Sequence, residues 1–347
     1  MTNQLLPDIE VVDLAQALMR IDSTSGHEGE VIAFADGLLA SRGWRTRRIP
    51  VSAGRDALLA LGTDAPVVTL STHLDTVPPF IPPRIDGHSL YGRGACDAKG
   101  LAAAMTCAAE RLRNAGVPAA LLFVIGEETA MDGAAAANAS PLTPTTSRVL
   151  INGEPTESTL GTGIKGLLRL TLRTTGRAAH SAYPALGRSA IHDLVRLLAE
   201  LQTLDLPRDA VLGDTTINVG RISGGIADNV FAPEAEARLL IRLVTPADEL
   251  ATTLRAWIGD RAHLDVGSSI PPVRLTPLPG YPTSVVAYAT DVPNLTRFGA
   301  PYLFGPGSIH VAHTDQEYIE LDELRQAVDT YTRLAHDALA GHTPAHR

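Results

Sequence analysis

PVVTLSTHLD (66–75) is the stretch whose reading decides the fold. Its body is apolar or β-branched with little polar alternation, the pattern of a strand buried on both faces. It ends on His73 and Asp75. Two further segments repeat the plan: AALLFVIGEE (119–128) runs into Glu127 and Glu128, and SRVLINGE (147–154) runs into Glu154. Between the first two lies GLAAAMTCAAERLRNAG (100–116), an Ala-rich helical segment closed by Gly116. Strand, helix, strand implies crossover helices on a parallel-rich sheet, an α/β fold. Outward from this centre, VVDLAQALMRI (11–21) and STSGHEGEVIAFADGLLASRG (23–43) read as helices. APYLFG (300–305) reads as a last strand and LDELRQAVDTYTRLAHDALAG (321–341) as a terminal helix.

The middle of the chain follows a different plan. From Lys165 the order is strand GLLRLTLRTTG, helix GRSAIHDLVRLLAELQTL, strands TTINVGRISG and EAEARLLIRL, helix PADELATTLRAWIG and strand HLDVGSS. That β-α-β-β-α-β order is the split βαβ, ferredoxin-like α+β unit. The expected organisation is a discontinuous domain, 1–164 with 272–347, interrupted by an inserted domain at 165–271. The Pro-rich stretch SIPPVRLTPLPGYP (269–282) reads as the return linker.

Composition narrows the function. The chain has 347 residues, and 29 Lys+Arg against 38 Asp+Glu give a net charge of −9. At 45% hydrophobic and 19% charged it reads as an ordinary globular protein. Its acidity and 4% aromatic content argue against a nucleic-acid partner. No run is apolar and long enough to span a bilayer, so no membrane partner is expected. The start MTNQLLPDIE shows no secretory signal, and Cys96 and Cys107 are too few for a disulfide framework, so a cytoplasmic location is expected. The run RTRR (45–48) reads as a solvated edge, and Cys96 as a packed neighbour of Asp97.

The chemistry gathers where strands end. In open parallel sheets, functional groups collect beyond the carboxyl ends of strands, which places His73, Asp75, Glu127, Glu128 and Glu154 in one crevice. YGRGACDAKG (91–100) adds Asp97 in a Gly-rich turn, and GSIHVAHTDQEYIE (307–320) adds His313. So many carboxylates packed without a cation would repel and raise one another's pKa values. Imidazole with carboxylate suits zinc or a neighbouring first-row metal. In the pair His73-x-Asp75 the aspartate can take the second ring N–H of the histidine. Adjacent Glu127 and Glu128 cannot point the same way, so one can bind metal while the other stays free as a base.

The ordered set THLDTVPP, YGRGACDAKG, GEE, NGEPT and AHTDQEYI resembles the M20 metallopeptidases and deacylases, the family of acetylornithine deacetylase, succinyl-diaminopimelate desuccinylase and LysW-lysine hydrolase. The resemblance runs from about residue 10 to 335, the inserted lid included. It implies a zinc-peptidase-like catalytic domain and two divalent ions, zinc or cobalt, bridged by Asp97. His73 and Glu154 would complete one ion's ligands, Glu128 and His313 the other's. Glu127 matches the general base and Asp75 the group that orients His73. In GRAAHSAYP, His180 matches a histidine that reaches the partner's active site in a homodimer formed through the lid. Asn229 in GGIADNVFAP, Arg242 in LLIRL, and Gly305 and Gly307 of GPG match substrate-binding positions. Glu154 matches a position where the family's deacylases and carboxypeptidases carry Glu and its aminopeptidases and dipeptidases Asp, which favours an N-acyl amino acid over a free dipeptide as substrate, in amino-acid biosynthesis. The alternatives are a di- or tripeptidase or carboxypeptidase of the same family and, more remotely, a non-catalytic binding module.

Overall fold

The computed structural model describes residues 10–341. The expectation placed on residues 1–9 of MTNQLLPDIE lies outside them. The chain divides into two units. One comprises the described residues up to Thr162, Leu275–Ser284 and those from Thr290 on; the other comprises Gly163–Arg274 and Val285–Ala289.

The first unit is built on a six-stranded sheet in the spatial order Arg45–Ser52, Arg55–Leu61, Ala119–Val124, Val68–His73, Val149–Asn152, Ala300–Leu303. The last four are parallel to one another, and the first two pair antiparallel. Successive side chains of a strand face opposite sides. Here Leu58, Leu121 and Ile151 join the core under helices Val11–Met19, Lys99–Asn114 and Leu321–Gly341. Leu59, Leu122 and Leu150 join a second core with helix Asp132–Ala139. Both faces are covered, which is why these strands read as unbroken apolar runs. Helix Lys99–Asn114 is buried along almost its whole length, and its alanines let the sheet and two other helices approach closely. At its start a Cβ on Gly100 would lie 2.1 Å from the Ala95 carbonyl oxygen, so no side chain fits there.

RTRR (45–48) opens the outermost strand of this sheet, where its arginine side chains are solvated. The sequence pattern does not mark Arg45–Ser52 as a strand, because more than half of its residues are charged or hydroxyl-bearing ones on an exposed edge.

The second unit carries a four-stranded sheet in the order Thr216–Gly224, Glu234–Leu243, Gly166–Thr175, His263–Ile270, every pair antiparallel. Helices Ala190–Leu201 and Ala247–Ile258 cover one face with Leu194, Leu197, Leu250 and Leu254 against Leu168, Leu170 and Ile241. The strand Gly166–Thr175 alternates buried and accessible residues, as one covered face requires. The Pro-rich stretch is more than a linker: after Pro271 and Pro272, which cannot donate to a ladder, Val273 and Arg274 pair antiparallel with Ile164 and Gly163. Among the described residues no helix is long and apolar enough to cross a membrane.

Candidate active site

His73 is the last residue of Val68–His73, and parallel neighbours bring the segments after Ala119–Val124 and Val149–Asn152 to the same end of the sheet. Gly126, at φ +72°, turns the chain so that Glu127 and Glu128 follow. Asp97 precedes helix Lys99–Asn114, and His313 sits on the loop before strand Tyr318–Glu320 with φ +65°.

Asp97 lies between two imidazoles. Its Oδ1 is 2.9 Å from His73 Nε2, and its Oδ2 is 3.2 Å from His313 Nε2. Glu128 Oε1 is 3.0 Å from the same His313 nitrogen. Two donor groups result, His73–Asp97–Glu154 and Asp97–Glu128–His313, each with ligand atoms within 4.8 Å of one another. Glu154 Oε1 is buried and, among the described residues, has no hydrogen-bond partner. An orphaned carboxylate oxygen, two imidazoles and a carboxylate with one oxygen toward each fit a pair of divalent ions of the zinc type.

The charges agree. Burial raises the carboxyls of Glu127 and Glu154 well above the usual carboxylate range, and for Glu127 the neighbouring Glu154 adds to it. Burial also raises Glu128, against the hydrogen bond from His313. Burial alone would lower His73, but its hydrogen bonds with Asp75 and Asp97 hold it well above the ordinary value. Hydrogen bonds to Asp97 and Glu128 push His313 up to about 10. A cation held by His313 would therefore displace its proton. Zinc binding is expected to release protons at pH 7 and to tighten as pH rises toward 10. The measured heat should then depend on the ionisation enthalpy of the buffer; a heat that is the same in all buffers would remove His313 as a protonated ligand. By the same linkage these contacts stabilise the metal-free fold fully below pH 6.5, and their contribution is lost as pH climbs through about 10.

The Asp75 carboxylate faces His73, and it has a second task besides. The His73 Nδ1 lies 2.9 Å from the backbone carbonyl of Asp75 and 3.5 Å from its carboxylate. The carboxylate also accepts the backbone N–H groups of Glu127 (3.1 Å) and Glu128 (3.3 Å) and the Ser25 hydroxyl (2.8 Å). It is buried, and these donors satisfy it while fixing the turn that carries both glutamates. Gly305 and Gly307 also act through backbone. A Cβ on Gly305 would meet the Glu154 carbonyl oxygen at 2.2 Å, and their N–H groups donate to Thr156 Oγ1 and Glu323.

Burial pushes the Cys96 thiol well up, beside Glu317 and Asp97, as suits a packed residue. Asp291 escaped the sequence reading, having no strand or motif before it to mark it. It is buried, neither carboxylate oxygen has a hydrogen-bond partner among the described residues, and burial pushes it up to about 7.

The remaining expected residues belong to the second unit. His180 and Asn229 are exposed and adjacent: His180 bridges Val230, and the Asn229 carbonyl accepts the Ser181 N–H at 2.8 Å. Arg242 is half-buried on Glu234–Leu243, its pKa lowered by burial and by nearby Arg169, and among the described residues it pairs with no carboxylate.

A parallel sheet with two imidazoles around one carboxylate at its strand ends, interrupted by a ferredoxin-like unit, defines a class of metal-dependent hydrolases. Residues 162–265 match the peptidase dimerisation domain. A peptidase M20 domain-containing protein of Schizosaccharomyces pombe is 38% identical over 93% of this chain and 84% of its own length. A protein of Aspergillus terreus named "Probable carboxypeptidase" is 36% identical over 97% of this chain and 88% of its own. Among solved structures, a tripeptidase of Staphylococcus aureus superposes with TM-score 0.80 at 19% identity, covering 96% of this chain and 100% of that one. A Bacillus subtilis protein described as a dinuclear metal-binding M20 peptidase gives TM-score 0.69 at 14% identity, covering 95% and 97%. The chain belongs to the M20 peptidase family, hydrolases of amide and peptide bonds. The relatives' names are those of peptidases and carboxypeptidases, so the family is established and its acetylornithine deacetylase subgroup is not.

Proposed function

We propose that this protein is a two-metal carboxypeptidase-type hydrolase, which releases an amino acid bearing a free α-carboxylate from the amide bond before it. The observation that carries this reading is the two donor groups sharing Asp97, in a chain 36% identical along 97% of its length to a relative named as a carboxypeptidase. The same names favour this alternative over the N-acyl amino acid deacylase expected from the sequence. Glu154 is compatible with both, because in the family resemblance Glu accompanies deacylases and carboxypeptidases alike.

His73, Asp97 and Glu154 would hold one ion, and Asp97, Glu128 and His313 the other; zinc and cobalt are the metals proposed. When bound, the ions supply Lewis acidity that lowers the pKa of water from 15.7 to about 7 and polarises the scissile carbonyl. Glu127 belongs to neither donor group. It takes the proton of the attacking water and returns it to the leaving amine, and its raised proton affinity suits both steps. The half-buried guanidinium of Arg242, with no carboxylate partner among the described residues, binds the substrate α-carboxylate. His180 and Asn229, matched to family positions by the resemblance, are assigned to the substrate as well. The homodimer that a dimerisation domain supports lets His180 of one copy steady the developing oxyanion in the other.

The test is a panel assayed after reconstitution with zinc or cobalt: di- and tripeptides with free or amidated carboxyl ends, N-blocked peptides, and N-acetyl and N-succinyl amino acids including ornithine, citrulline and diaminopimelate. Peptides with a free carboxyl end should be cleaved, N-blocked or not, and amidation should lower kcat/KM by about 10–100-fold, the scale of a hydrogen bond to a charged group. Cleavage of N-acyl amino acids alone restores the deacylase reading. Loss of activity on N-blocking rather than amidation makes it an aminopeptidase.

A further inference from the structure

We propose that the buried ion pair Arg93–Glu317 is the positioning element that holds Asp97 and His313 at the spacing the second ion needs. This rests on the two-ion reading above and goes beyond it, because neither residue belongs to the donor groups. The guanidinium and carboxylate meet at 2.6 Å, with side chains 2% and 0% exposed. Each group then reaches a different metal-bearing segment. Glu317 Oε1 accepts the backbone N–H groups of Cys96 and Asp97, both at 3.3 Å. Arg93 Nη1 also donates to the carbonyl of Thr314 at 3.1 Å, one residue beyond His313. The pairing of strand Tyr318–Glu320 with Ser89–Tyr91 delivers both partners, since Arg93 follows one strand and Glu317 precedes the other. The Gly92 N–H closes the same junction by donating to the Glu317 carbonyl at 3.0 Å.

The second ion's site is the one that needs such a brace. His313 is 48% exposed in its side chain, so packing does not hold it. Its backbone is also in the left-handed region at φ +65°, unfavourable for a residue with a Cβ, and the surroundings must impose it. His73, by contrast, ends a strand of the central sheet and is buried. Loss of the brace should therefore weaken Asp97–Glu128–His313 more than His73–Asp97–Glu154.

Two variants test this. Glu317→Gln keeps an acceptor for Cys96 and Asp97 but removes the charge facing Arg93. Arg93→Met with Glu317→Met removes the pair and leaves apolar side chains in its place, a replacement that buried ion pairs commonly tolerate. The readout is calorimetric titration of the metal-free protein with zinc alone, with circular dichroism to verify the fold. The expected result is one affinity weakened by about 10–100-fold, the usual effect of removing groups behind a ligand, and the other changed much less. Equal weakening of both affinities, or titrations that superpose on the unmodified protein, overturns the proposal. An unmodified protein that takes up fewer than two zinc ions overturns the two-ion reading instead, and that outcome is read without either variant.

Discussion

Glu127→Gln is expected to lower kcat by about 10²–10⁴-fold while the protein keeps its fold and its metal. Glu127 stands outside both donor groups, yet burial and Glu154 raise its proton affinity well above that of an ordinary carboxylate. A group that takes a proton from water and gives it to an amine needs that affinity. Glutamine matches the shape and keeps the backbone N–H to Asp75, but it cannot carry the proton. Glu128→Gln is the informative contrast. Glu128 touches His313, so its loss should appear first in metal content and only through it in turnover. Steady-state kinetics beside a metal count separate the two. Wild-type turnover in Glu127→Gln would remove the base assignment.

Asp97→Asn should abolish tight binding of both ions at once, because this carboxylate presents one oxygen to each histidine. For the unmodified protein, zinc at about 1,000 times its Kd stabilises the fold by about 4.1 kcal/mol per site. In thermal unfolding that corresponds to a rise on the order of 8 °C per site. The Asn variant should show almost no metal-dependent rise. Without metal it should also melt below the unmodified protein, since His73 and His313 lose the carboxylate that holds their protons. A variant that still gains stability from zinc as the unmodified protein does would show that Asp97 is not shared.

The gathering of His73, Glu128 and Glu154 was legible because each follows a strand whose burial on both faces is written in an unbroken apolar run, and a parallel sheet must bring such strand ends together. The order of the second unit was legible for the same reason, since its strands alternate and its helices repeat at their own period. Strand Arg45–Ser52 was not, because an edge strand with charged side chains carries little apolar signal. The excursion of Val285–Ala289 into the second unit has no compositional mark.

What the sequence by itself determined is thus the parallel-rich sheet, the inserted unit and the set of groups at the strand ends. Hydrophobic periodicity is a local property, readable within a dozen residues. Only the tertiary structure decided that the Asp75 carboxylate also serves the Glu127–Glu128 turn, and that Arg93 meets Glu317 across 224 positions of chain. Choice of hydrogen-bond and ion-pair partner depends on which donors and acceptors the fold buries beside one another, and no stretch of sequence carries that information alone.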